Sequence, residues 1–370
     1  MRAVRLLRPE AGAFDVVDVP MPVPGPGQAL VKVLATGICG TDRHIAGWHP
    51  SIQDSVKPPR TFGHECCGEV AGYGPAATGP APGTFVSVEM HEVCGRCYPC
   101  RTGRGHICRN TLIYGLHRDG CFADYVVVPA TNLVELPRDV VPVRVGAFLD
   151  ALGNAVHTVG EGDVTAKTVA VFGCGPIGAM AAAVARFCGA SGIACVDVSP
   201  FALQRMRDWK RRCEQQGARV PIQVCDSSGD GRERAIREIR EMSDGGVDVS
   251  LEMSGAPSAI NDALHVLRPG GTMCALGLPG KRGITLEEYS GDLVFKGLTI
   301  KGIIGRRMYE TWYRMLAMLR GGLDVEWVIT DEAPLAEFRT VFGKFDRGEA
   351  MKVVLYPHGN PAAPKRPDSR

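Results

Sequence analysis

A glycine-rich turn between a strand and a helix limits most strongly what this chain can fold into. The segment Gly173-Cys-Gly-Pro-Ile-Gly178 follows the β-branched run Val169–Phe172 and precedes an apolar stretch with helical character, Ala179–Phe187. Glycines at these places permit a tight turn, admit a phosphate close to the backbone and let the helix pack against the strand. The segment therefore predicts a strand–turn–helix unit built around a phosphate-sized space.

The residues around this turn indicate that it holds a dinucleotide. The helix N-terminus offers amide donors to a pyrophosphate, and the candidate contacts are Gly173, Gly175, Pro176, Ile177 and Gly178. Asp197 ends the next predicted strand, and a carboxylate there accepts hydrogen bonds from the adenosine ribose and repels a 2′-phosphate. Val198 and Ser199 offer no arginine for that phosphate. The pattern favours NAD over NADP.

The texture of the chain divides it into two parts, as its 370 residues suggest. Up to about Asp163, alternating apolar runs such as 29–34 and 122–128 are separated by Pro/Gly clusters, which is typical of β-strands and loops. Beyond it, short β-branched runs alternate with helical stretches, and this alternation predicts an α/β fold with a doubly wound parallel sheet. The Pro- and charge-rich segment 359–370 is expected to be disordered.

Charge and cysteine usage exclude several classes of protein. A net charge of +2 gives no basic excess for nucleic acid. The one long apolar run, 168–185, contains four residues that break a membrane helix, so no membrane span is expected. Arg2, Arg5 and Arg8 lie where a secretory leader would be apolar, so the 14 cysteines are expected in the reducing cytoplasm, some of them holding metal.

Four of the cysteines have the spacing of a metal site. Cys94, Cys97, Cys100 and Cys108 form C-x2-C-x2-C-x7-C in a polar loop, and four thiolates this close can surround one Zn²⁺. With four cysteine ligands no coordination position stays open, so the zinc would be structural. Disulfides and an iron–sulfur cluster are the alternatives, although the ferredoxin spacings differ.

A second group of residues suits an open, catalytic zinc. Cys39, His64 and Glu65, with a further carboxylate such as Asp150, supply a mixed set of sulfur, nitrogen and oxygen donors. The candidates span more than a hundred residues, so spacing alone does not establish a site. Cys39 as a small buried apolar residue and His64 as a loop histidine remain open alternatives at this point.

Several motifs resemble those of one enzyme superfamily. The segments 37–42 (GICGTD) and 63–65 (GHE), together with the four-cysteine loop and the glycine turn, are similar to the zinc-dependent medium-chain alcohol dehydrogenases. Within that superfamily the chain most resembles the L-threonine 3-dehydrogenases. The segments that carry this finer resemblance are 108–111, 153–158, 251–257, 295–297, 300–306 and 309–313.

The resemblance implies a fold and a pair of bound metals. It implies a GroES-like, β-rich catalytic domain at 1–153 with 306–358 returning to it, and a Rossmann NAD-binding domain at 154–305. It also implies two Zn²⁺ per chain. The catalytic one would lie on Cys39 and His64, with Glu65 and Asp150 as exchangeable acidic ligands, either of them the resting ligand. Relatives of this kind form homo-oligomers, usually tetramers and sometimes dimers.

The implied reaction is oxidation of a small-molecule alcohol. For a threonine dehydrogenase it converts the 3-hydroxyl to a ketone, giving 2-amino-3-oxobutanoate, with hydride transfer to NAD. Thr41 and His44 would relay the proton, and His91 would lie near the substrate. Four further residues would line the nicotinamide and pyrophosphate, or else are ordinary core residues: Leu276, Leu278, Ile303 and Arg306.

Two other functions remain open from the sequence. The same ligand set serves dehydrogenases of polyols, amino sugars and other secondary alcohols in biosynthetic pathways, and a non-catalytic NAD-binding redox sensor would keep the same fold. One departure from the superfamily also bears on specificity. The helix after Asp197 is basic and about two turns longer than expected, running through Arg205 and Arg212 to Gly217. Its basic residues suit a solvated face, the rim of the adenine pocket or a subunit contact.

Overall fold

The computed structural model describes residues 1–280 and 283–359 of the chain, in which eighteen strands and ten α-helices occur. The strands are β1 (Arg2–Leu6), β2 (Phe14–Asp18), β3 (Gln28–Gly37), β4 (Arg60–Thr61), β5 (Cys66–Tyr73), β6 (Phe85–Val88), β7 (His91–Glu92), β8 (Leu112–Ile113), β9 (Tyr125–Pro129), β10 (Leu133–Glu135), β11 (Thr168–Phe172), β12 (Gly192–Asp197), β13 (Ile222–Asp226), β14 (Val247–Glu252), β15 (Leu267–Ala275), β16 (Thr299–Gly302), β17 (Ile329–Pro334) and β18 (Lys352–Tyr356).

The helices include several short ones. The α-helices are α1 (Gly40–Ala46), α2 (Tyr98–Arg101), α3 (Val143–Gly146), α4 (Leu149–Gly162), α5 (Pro176–Phe187), α6 (Pro200–Gln215), α7 (Gly231–Met242), α8 (Pro257–His265), α9 (Glu310–Arg320) and α10 (Phe338–Asp346). Single 3-10 turns lie at Pro50–Ile52, Gly105–Ile107, Ala130–Asn132, Glu326–Val328 and Leu335–Glu337, and a π-helical turn lies at Tyr289–Val294.

The chain divides into two compact units, with boundaries at 150/151 and 328/329. The first unit comprises 1–150 and the segment from 329 onward, and the second comprises 151–328. Helix α9, which the sequence interpretation assigned to the returning segment 306–358, thus lies within the second unit. The predicted disordered tail lies, from residue 360 onward, outside the described residues.

The first unit is built on β-sheets, as the alternating apolar runs predicted. Its largest sheet has the order β10-β6-β5-β3-β18-β17, and β9 also pairs with β3. The long strand β3 alternates buried and half-buried positions over most of its length because one face packs on the core. A cluster of aromatic rings fills that core: Phe14, Phe62, Phe122, Phe338 and Phe342.

One strand pairing brings the two ends of the sequence together inside this unit. The last strand, β18, runs antiparallel to β3, with Val354 opposite Gly37 and Leu355 opposite Thr36. Because β3 ends just before Cys39, residues near 352 lie beside the segment that carries the proposed metal ligand.

The second unit has the predicted doubly wound arrangement. Six strands, all parallel, follow the order β13-β12-β11-β14-β15-β16. The order reverses at β11, and in open α/β sheets ligands bind beyond the carboxyl ends of the strands at such a point. The glycine turn follows β11 and thus lies at this position.

The apolar run 168–185 forms strand β11, the glycine turn and most of helix α5. Across residues 1–280 and 283–359, the structure contains no helix with the length and apolar character needed to span a bilayer.

Candidate functional site: two cysteine-containing metal centres and a dinucleotide turn

The segment after β3 fixes the position of Cys39. Cys39 is the N-cap of helix α1, and its backbone N–H donates to Asp42 Oδ2 at 2.9 Å. Asp42 is fully buried, which raises the pKa of its carboxyl, although His64 and the amide of Cys39 act in the opposite direction. This local hydrogen bond holds the thiol in one place at the start of the helix.

His64 and Glu65 reach the same place because of the glycine before them. Gly63 has φ +90°, and a Cβ there would lie 2.2 Å from Cδ1 of the Phe122 ring. Only glycine permits this backbone conformation and this close aromatic packing. The turn sends the two following side chains into the interior, where both are buried.

The structure brings Cys39, His64 and Glu65 together. One ligand atom from each lies within 4.8 Å of the other two. His64 Nδ1 and Glu65 Oε1 are buried and have no hydrogen-bond partner within the described part of the chain. Buried polar atoms are rarely left unpaired, so a bound group that satisfies them is expected. Sulfur, imidazole nitrogen and carboxylate oxygen together form a donor set that fits Zn²⁺.

The electrostatics of this cluster favour a cation. Burial alone lowers the pKa of the His64 imidazole, but the negative charges of Cys39 and Asp42 outweigh burial, so the pKa lies well above its usual value. Burial and the charge of Asp150 raise the pKa of Glu65, and Lys352 opposes them. The negative electrostatic potential that favours a proton on this buried imidazole also favours a metal cation in its place.

Asp150 lies in the first turn of α4 and is buried. Its charge acts on both His64 and Glu65, so it is close to the cluster. Its carboxylate is not part of the group of mutually close ligand atoms, which contains Glu65 instead. Of the two acidic candidates, the structure thus brings Glu65 into the centre.

The sequence interpretation missed Lys352, the first residue of β18. Lys352 is 1% exposed, and its ammonium group pairs with Glu65 Oε2 and donates to the carbonyl oxygen of Ile38 at 2.9 Å. A lysine at the start of an otherwise apolar strand was the available signal, because a buried charge requires a partner.

The four remaining candidate cysteines form a second centre. The Sγ–Sγ distances are 3.5 Å for Cys97–Cys100 and for Cys94–Cys108, and 3.7 Å for Cys97–Cys108. A zinc–sulfur bond of about 2.3 Å in a tetrahedron gives sulfur–sulfur separations of about 3.8 Å, whereas a disulfide requires about 2.05 Å. All four thiols are unpaired by disulfides, so the geometry fits tetrahedral zinc.

The surroundings of this second centre partly prepare it for metal. The side-chain amide of Asn110, with backbone amides, lowers the pKa of Cys94 to about 5, whereas burial raises that of Cys100 to about 12. Asn110 also donates its backbone N–H to Cys108 Sγ at 3.3 Å. A thiol with a raised pKa ionises when a metal ion replaces its proton, so the full thiolate set depends on the ion.

Thr41 and His44 lie on helix α1, next to Cys39. The Thr41 hydroxyl is half-buried, 4.0 Å from Cys39 Sγ. His44 is exposed, and its ring meets that of His49 edge-on with the centroids 4.8 Å apart. Partial burial and the positive charges of His49 and Arg43 lower the pKa of His44, which favours the neutral imidazole that can accept a proton.

His91 lies in strand β7 and pairs with a buried acid. Its Nδ1 is 2.7 Å from Glu89 Oε1, and its carbonyl oxygen accepts from the side chain of Asn132 at 3.0 Å. His91 is half-buried and is not part of either cluster of ligand atoms.

The glycine turn of the second unit has the geometry that its sequence predicted. Gly173 has φ +91°, and a Cβ on Gly178 would lie 1.8 Å from the carbonyl oxygen of Gly173. Gly175, the N-cap of α5, has open space where its Cβ would be. Pro176 and Ile177 form the first turn of that helix. This open space beside a helix N-terminus fits the pyrophosphate of a dinucleotide.

Asp197 has a structural contact in addition to its position at the end of β12. Its Oδ2 accepts from the Cys174 amide at 2.6 Å, and its Oδ1 accepts from the amides of Val198 and Ser199 at 2.8 and 2.7 Å. The carboxylate therefore ties the glycine turn to the start of α6. Each oxygen has two lone pairs, so Oδ2 can still accept a further hydrogen bond.

The four residues expected to line the cofactor differ in exposure. Leu276 is half-buried, Leu278 is 79% exposed and Ile303 is buried. Arg306 is buried against Gly153, with its guanidinium 5.7 Å from the centroid of the Trp312 ring.

The lengthened helix predicted after Asp197 is α6, Pro200–Gln215. Arg212 pairs with Asp324 at 2.7 Å, and Arg205 donates to the carbonyl oxygen of Trp327. Trp327 stacks on Trp209 of the helix with the centroids 5.5 Å apart. The helix thus packs against the segment 324–327, and part of its basic face is used in these contacts.

Comparison with known proteins gives consistent matches. Residues 25–138 match the alcohol dehydrogenase GroES-like domain, and residues 176–321 match the zinc-binding dehydrogenase family. The chain is 42% identical to the L-threonine 3-dehydrogenase of Caldanaerobacter subterraneus subsp. tengcongensis over 93% of this chain and 95% of that protein.

Solved structures agree with these matches. The alcohol dehydrogenase TADH from Thermus sp. ATN1 is 30% identical and superposes with a TM-score of 0.83, covering 96% of this chain and 99% of that one. A zinc-binding dehydrogenase from Sinorhizobium meliloti 1021, solved with NADP, is 32% identical with a TM-score of 0.82 over the same shares.

Proposed function

The chain belongs to the zinc-binding alcohol dehydrogenase family, and from this premise we propose that it oxidises the 3-hydroxyl of L-threonine, or of a closely related hydroxy amino acid, with NAD. For threonine the product is 2-amino-3-oxobutanoate. The resemblance drawn from the sequence motifs is thus confirmed at the level of the family, as is the GroES-like and Rossmann fold. The near full-length similarity to an L-threonine 3-dehydrogenase is the observation that carries the choice of substrate.

The proposed catalytic metal site is the buried cluster of Cys39, His64 and Glu65, with Asp150 beside it. Bound there, Zn²⁺ supplies a Lewis acid that lowers the pKa of an alcohol hydroxyl. His64 Nδ1 and Glu65 Oε1 have no hydrogen-bond partner among the described residues, and this supports the assignment. Cys94, Cys97, Cys100 and Cys108 would hold a second zinc with a structural role, which their sulfur–sulfur distances support.

We propose that Thr41 and His44 carry the hydroxyl proton away. Thr41 lies half-buried beside Cys39, and His44 lies exposed on the same helix, so the two mark a direction from the interior towards solvent. The lowered pKa of His44 keeps it neutral and able to accept the proton. His91, oriented by Glu89, is the proposed substrate contact.

The glycine turn and Asp197 are the proposed NAD site. Open space at Gly175 and a free lone pair on Asp197 Oδ2 support binding of the pyrophosphate and of the ribose hydroxyls. The Sinorhizobium relative that was solved with NADP makes this choice worth measuring. Reduction of NADP as fast as NAD would contradict the role given to Asp197. The Asp197→Ser variant is expected to have a lower ratio of kcat/KM for NAD to kcat/KM for NADP than the wild type.

The proposed reaction is tested by a substrate panel on the purified enzyme. Threonine, sorbitol, 2,3-butanediol and amino alcohols are compared by kcat/KM for NAD reduction. Threonine should give the highest kcat/KM. A higher kcat/KM for sorbitol or butanediol would make the enzyme a polyol dehydrogenase. If no alcohol transfers a hydride although zinc is bound, a non-catalytic NAD-binding redox sensor would be favoured.

A single substitution tests the proposed metal. Cys39→Ser should abolish turnover and remove one zinc per chain while leaving NAD binding nearly unchanged. Cys188→Ser is the matched control, because Cys188 is similarly half-buried and lies at the end of α5, among neither group of ligands. Retained activity in Cys39→Ser would refute the assignment.

We further propose that the enzyme is a homo-oligomer, a tetramer or a dimer. The edge strand β16 pairs only with β15 among the described strands, and its Ile300 is exposed. Phe295, five residues earlier in the chain, is 83% exposed. An exposed, apolar sheet edge invites pairing with another chain. Light scattering of the purified protein measures its mass, and a monomer would contradict the proposal.

The cytoplasm is the proposed compartment. All 14 cysteines are free of disulfides, including the buried ones, and thiols persist in this form in a reducing environment.

A further inference from the structure

The proposed catalytic cluster contains a buried cation that its metal chemistry does not require. Lys352 Nζ pairs with Glu65 Oε2 and donates to Ile38 O at 2.9 Å. Both members of the ion pair are 1% exposed. Removing a lysine from water is costly unless it is well paired, so its presence here calls for an explanation.

The fold is shaped around this ion pair. Strand β18 lies antiparallel to β3 so that Gly37 is next to the pair. A Cβ on Gly37 would lie 2.6 Å from Glu65 Oε2 and 3.1 Å from Lys352 Cε. Lys352 Nζ also lies 5.9 Å from the centroid of the ring of Phe148, which precedes Asp150 by two residues in the chain. The lysine thus contacts the segment before Cys39, the carboxylate of Glu65 and the approach to α4.

The two oxygens of Glu65 have different surroundings. Oε2 takes the ammonium of Lys352, whereas Oε1 is buried and has no hydrogen-bond partner in the described part of the chain. Glu65 therefore has one oxygen committed to the lysine and one directed to the cluster with Cys39 and His64. The positive charge of the ammonium also offsets part of the field that the carboxylate exerts on the cluster.

Acidic side chains outnumber basic ones in and beside the cluster. The acidic side chains are Cys39, Asp42, Glu65 and Asp150. The positive charge of Lys352 acts on both Glu65 and Asp42. Such an excess would hold a divalent metal with every available carboxylate oxygen. An open catalytic site needs instead one ligand that leaves easily, so that the substrate can take its place.

We propose that Lys352 is a positioning residue that makes Glu65 a one-oxygen, weakly held metal ligand which the alcohol can displace. This inference rests on the proposed function, because it presumes a metal on Cys39, His64 and Glu65. It predicts an unusual direction of change. Without the ammonium, Glu65 Oε2 is released and both carboxylate oxygens can bind the metal, so the metal is held more tightly and turnover is slower. A lysine that merely stabilised the fold would have the opposite effect on metal retention when removed.

The test is the rate at which a chelator removes zinc, measured beside kcat and KM. Lys352→Met removes charge and hydrogen bonds, and Lys352→Gln removes the charge but keeps a polar side chain, so it carries the test if the Met variant does not fold. Lys296→Met is the matched control, because Lys296 belongs to a partly buried ion pair with Asp292 in the other unit. The Cys39→Ser enzyme is expected to keep only the four-cysteine zinc, so comparison with it identifies the release phase of the open site.

The expected result is zinc release from the open site at least roughly tenfold slower in either Lys352 variant, with kcat lowered about 10–100-fold. Cobalt exchanged into the open site should also change its visible spectrum, since the carboxylate then binds through two oxygens. The Lys296 control should match the wild type in all three measurements. Unchanged or faster release from a folded Lys352 variant overturns the inference alone. A wild-type enzyme that binds no zinc at the open site of Cys39, His64 and Glu65 would overturn the proposed function as well.

Discussion

Replacing Gly37 by alanine tests how tightly the proposed metal centre is packed. The added methyl group would lie 2.6 Å from Glu65 Oε2 and 3.0 Å from the carbonyl oxygen of Ala147. A contact with the end of a side chain is usually relieved by a small rotation. Here the ammonium of Lys352 holds the carboxylate, and the second contact is with backbone, so neither neighbour moves freely.

The magnitude follows from these contacts. Adding one methyl group to a packed interior costs about 1–3 kcal/mol. For a domain of the size of the first unit, about 2–4 °C of unfolding midpoint corresponds to each kcal/mol, so the midpoint should fall by roughly 2–12 °C. Because the methyl group pushes on the Glu65 carboxylate, the open zinc should also be lost more readily, and kcat should fall.

The assay is thermal unfolding with zinc content and kcat measured on the same preparations. Gly72→Ala is the control, since Gly72 also lies in a strand of this sheet, β5, and its Cβ would meet nothing within 4 Å. The free energy of unfolding of that variant should differ from that of the wild type by at most about 0.5 kcal/mol. A Gly37→Ala enzyme with the midpoint, zinc content and kcat of the Gly72→Ala enzyme would refute the packing argument.

Three further predictions concern the other parts of the molecule. Cys97→Ser should remove one zinc per chain and open the loop 94–108 to proteolysis, because three remaining thiols hold the ion less well; a full zinc content would contradict a four-cysteine site. Gly178→Ala should prevent stable folding of the glycine turn, since its Cβ would overlap a backbone oxygen, whereas Gly175→Ala should fold normally and raise the KM for NAD by filling open space; equal behaviour of the two variants, measured by thermal unfolding and KM, would count against the turn geometry. His49→Ala should move the acid limb of the kcat/KM profile to higher pH, because the positive charge of His49 lowers the pKa of His44 and its removal lets the relay histidine protonate sooner; a shift to lower pH would exclude His44 as the proton acceptor.

Local spacing predicted the features that depend on neighbours in the chain. The four cysteines from Cys94 to Cys108 lie within one loop, and their sulfur atoms meet as their spacing indicated. The glycine turn likewise has its positive φ, its close approach and its open space within six residues. Such short segments have few ways to arrange themselves, so the sequence constrains them strongly.

The ligands of the open centre could be predicted from the sequence only through its resemblance to the zinc-dependent medium-chain alcohol dehydrogenases. Cys39 and Glu65 belong to different segments, and nothing in their spacing decides between Glu65 and Asp150 as the closer acid. The tertiary structure brings Glu65 among the ligand atoms because Gly63 turns its segment inward against the Phe122 ring. It also gives Asp197 a second contact, with the backbone of the glycine turn, that its sequence position did not indicate.

What the sequence by itself determined is thus the fold class, the four-cysteine cluster and the dinucleotide turn. Only the tertiary structure decided which opposite charge lies beside the acidic ligand of the open centre. Lys352 is 287 residues from Glu65 along the chain, and the two meet because β18 pairs with β3. The physical reason is that the strength of a buried charge depends on which opposite charge the fold brings within reach, and pairing between distant strands has no signature in local sequence.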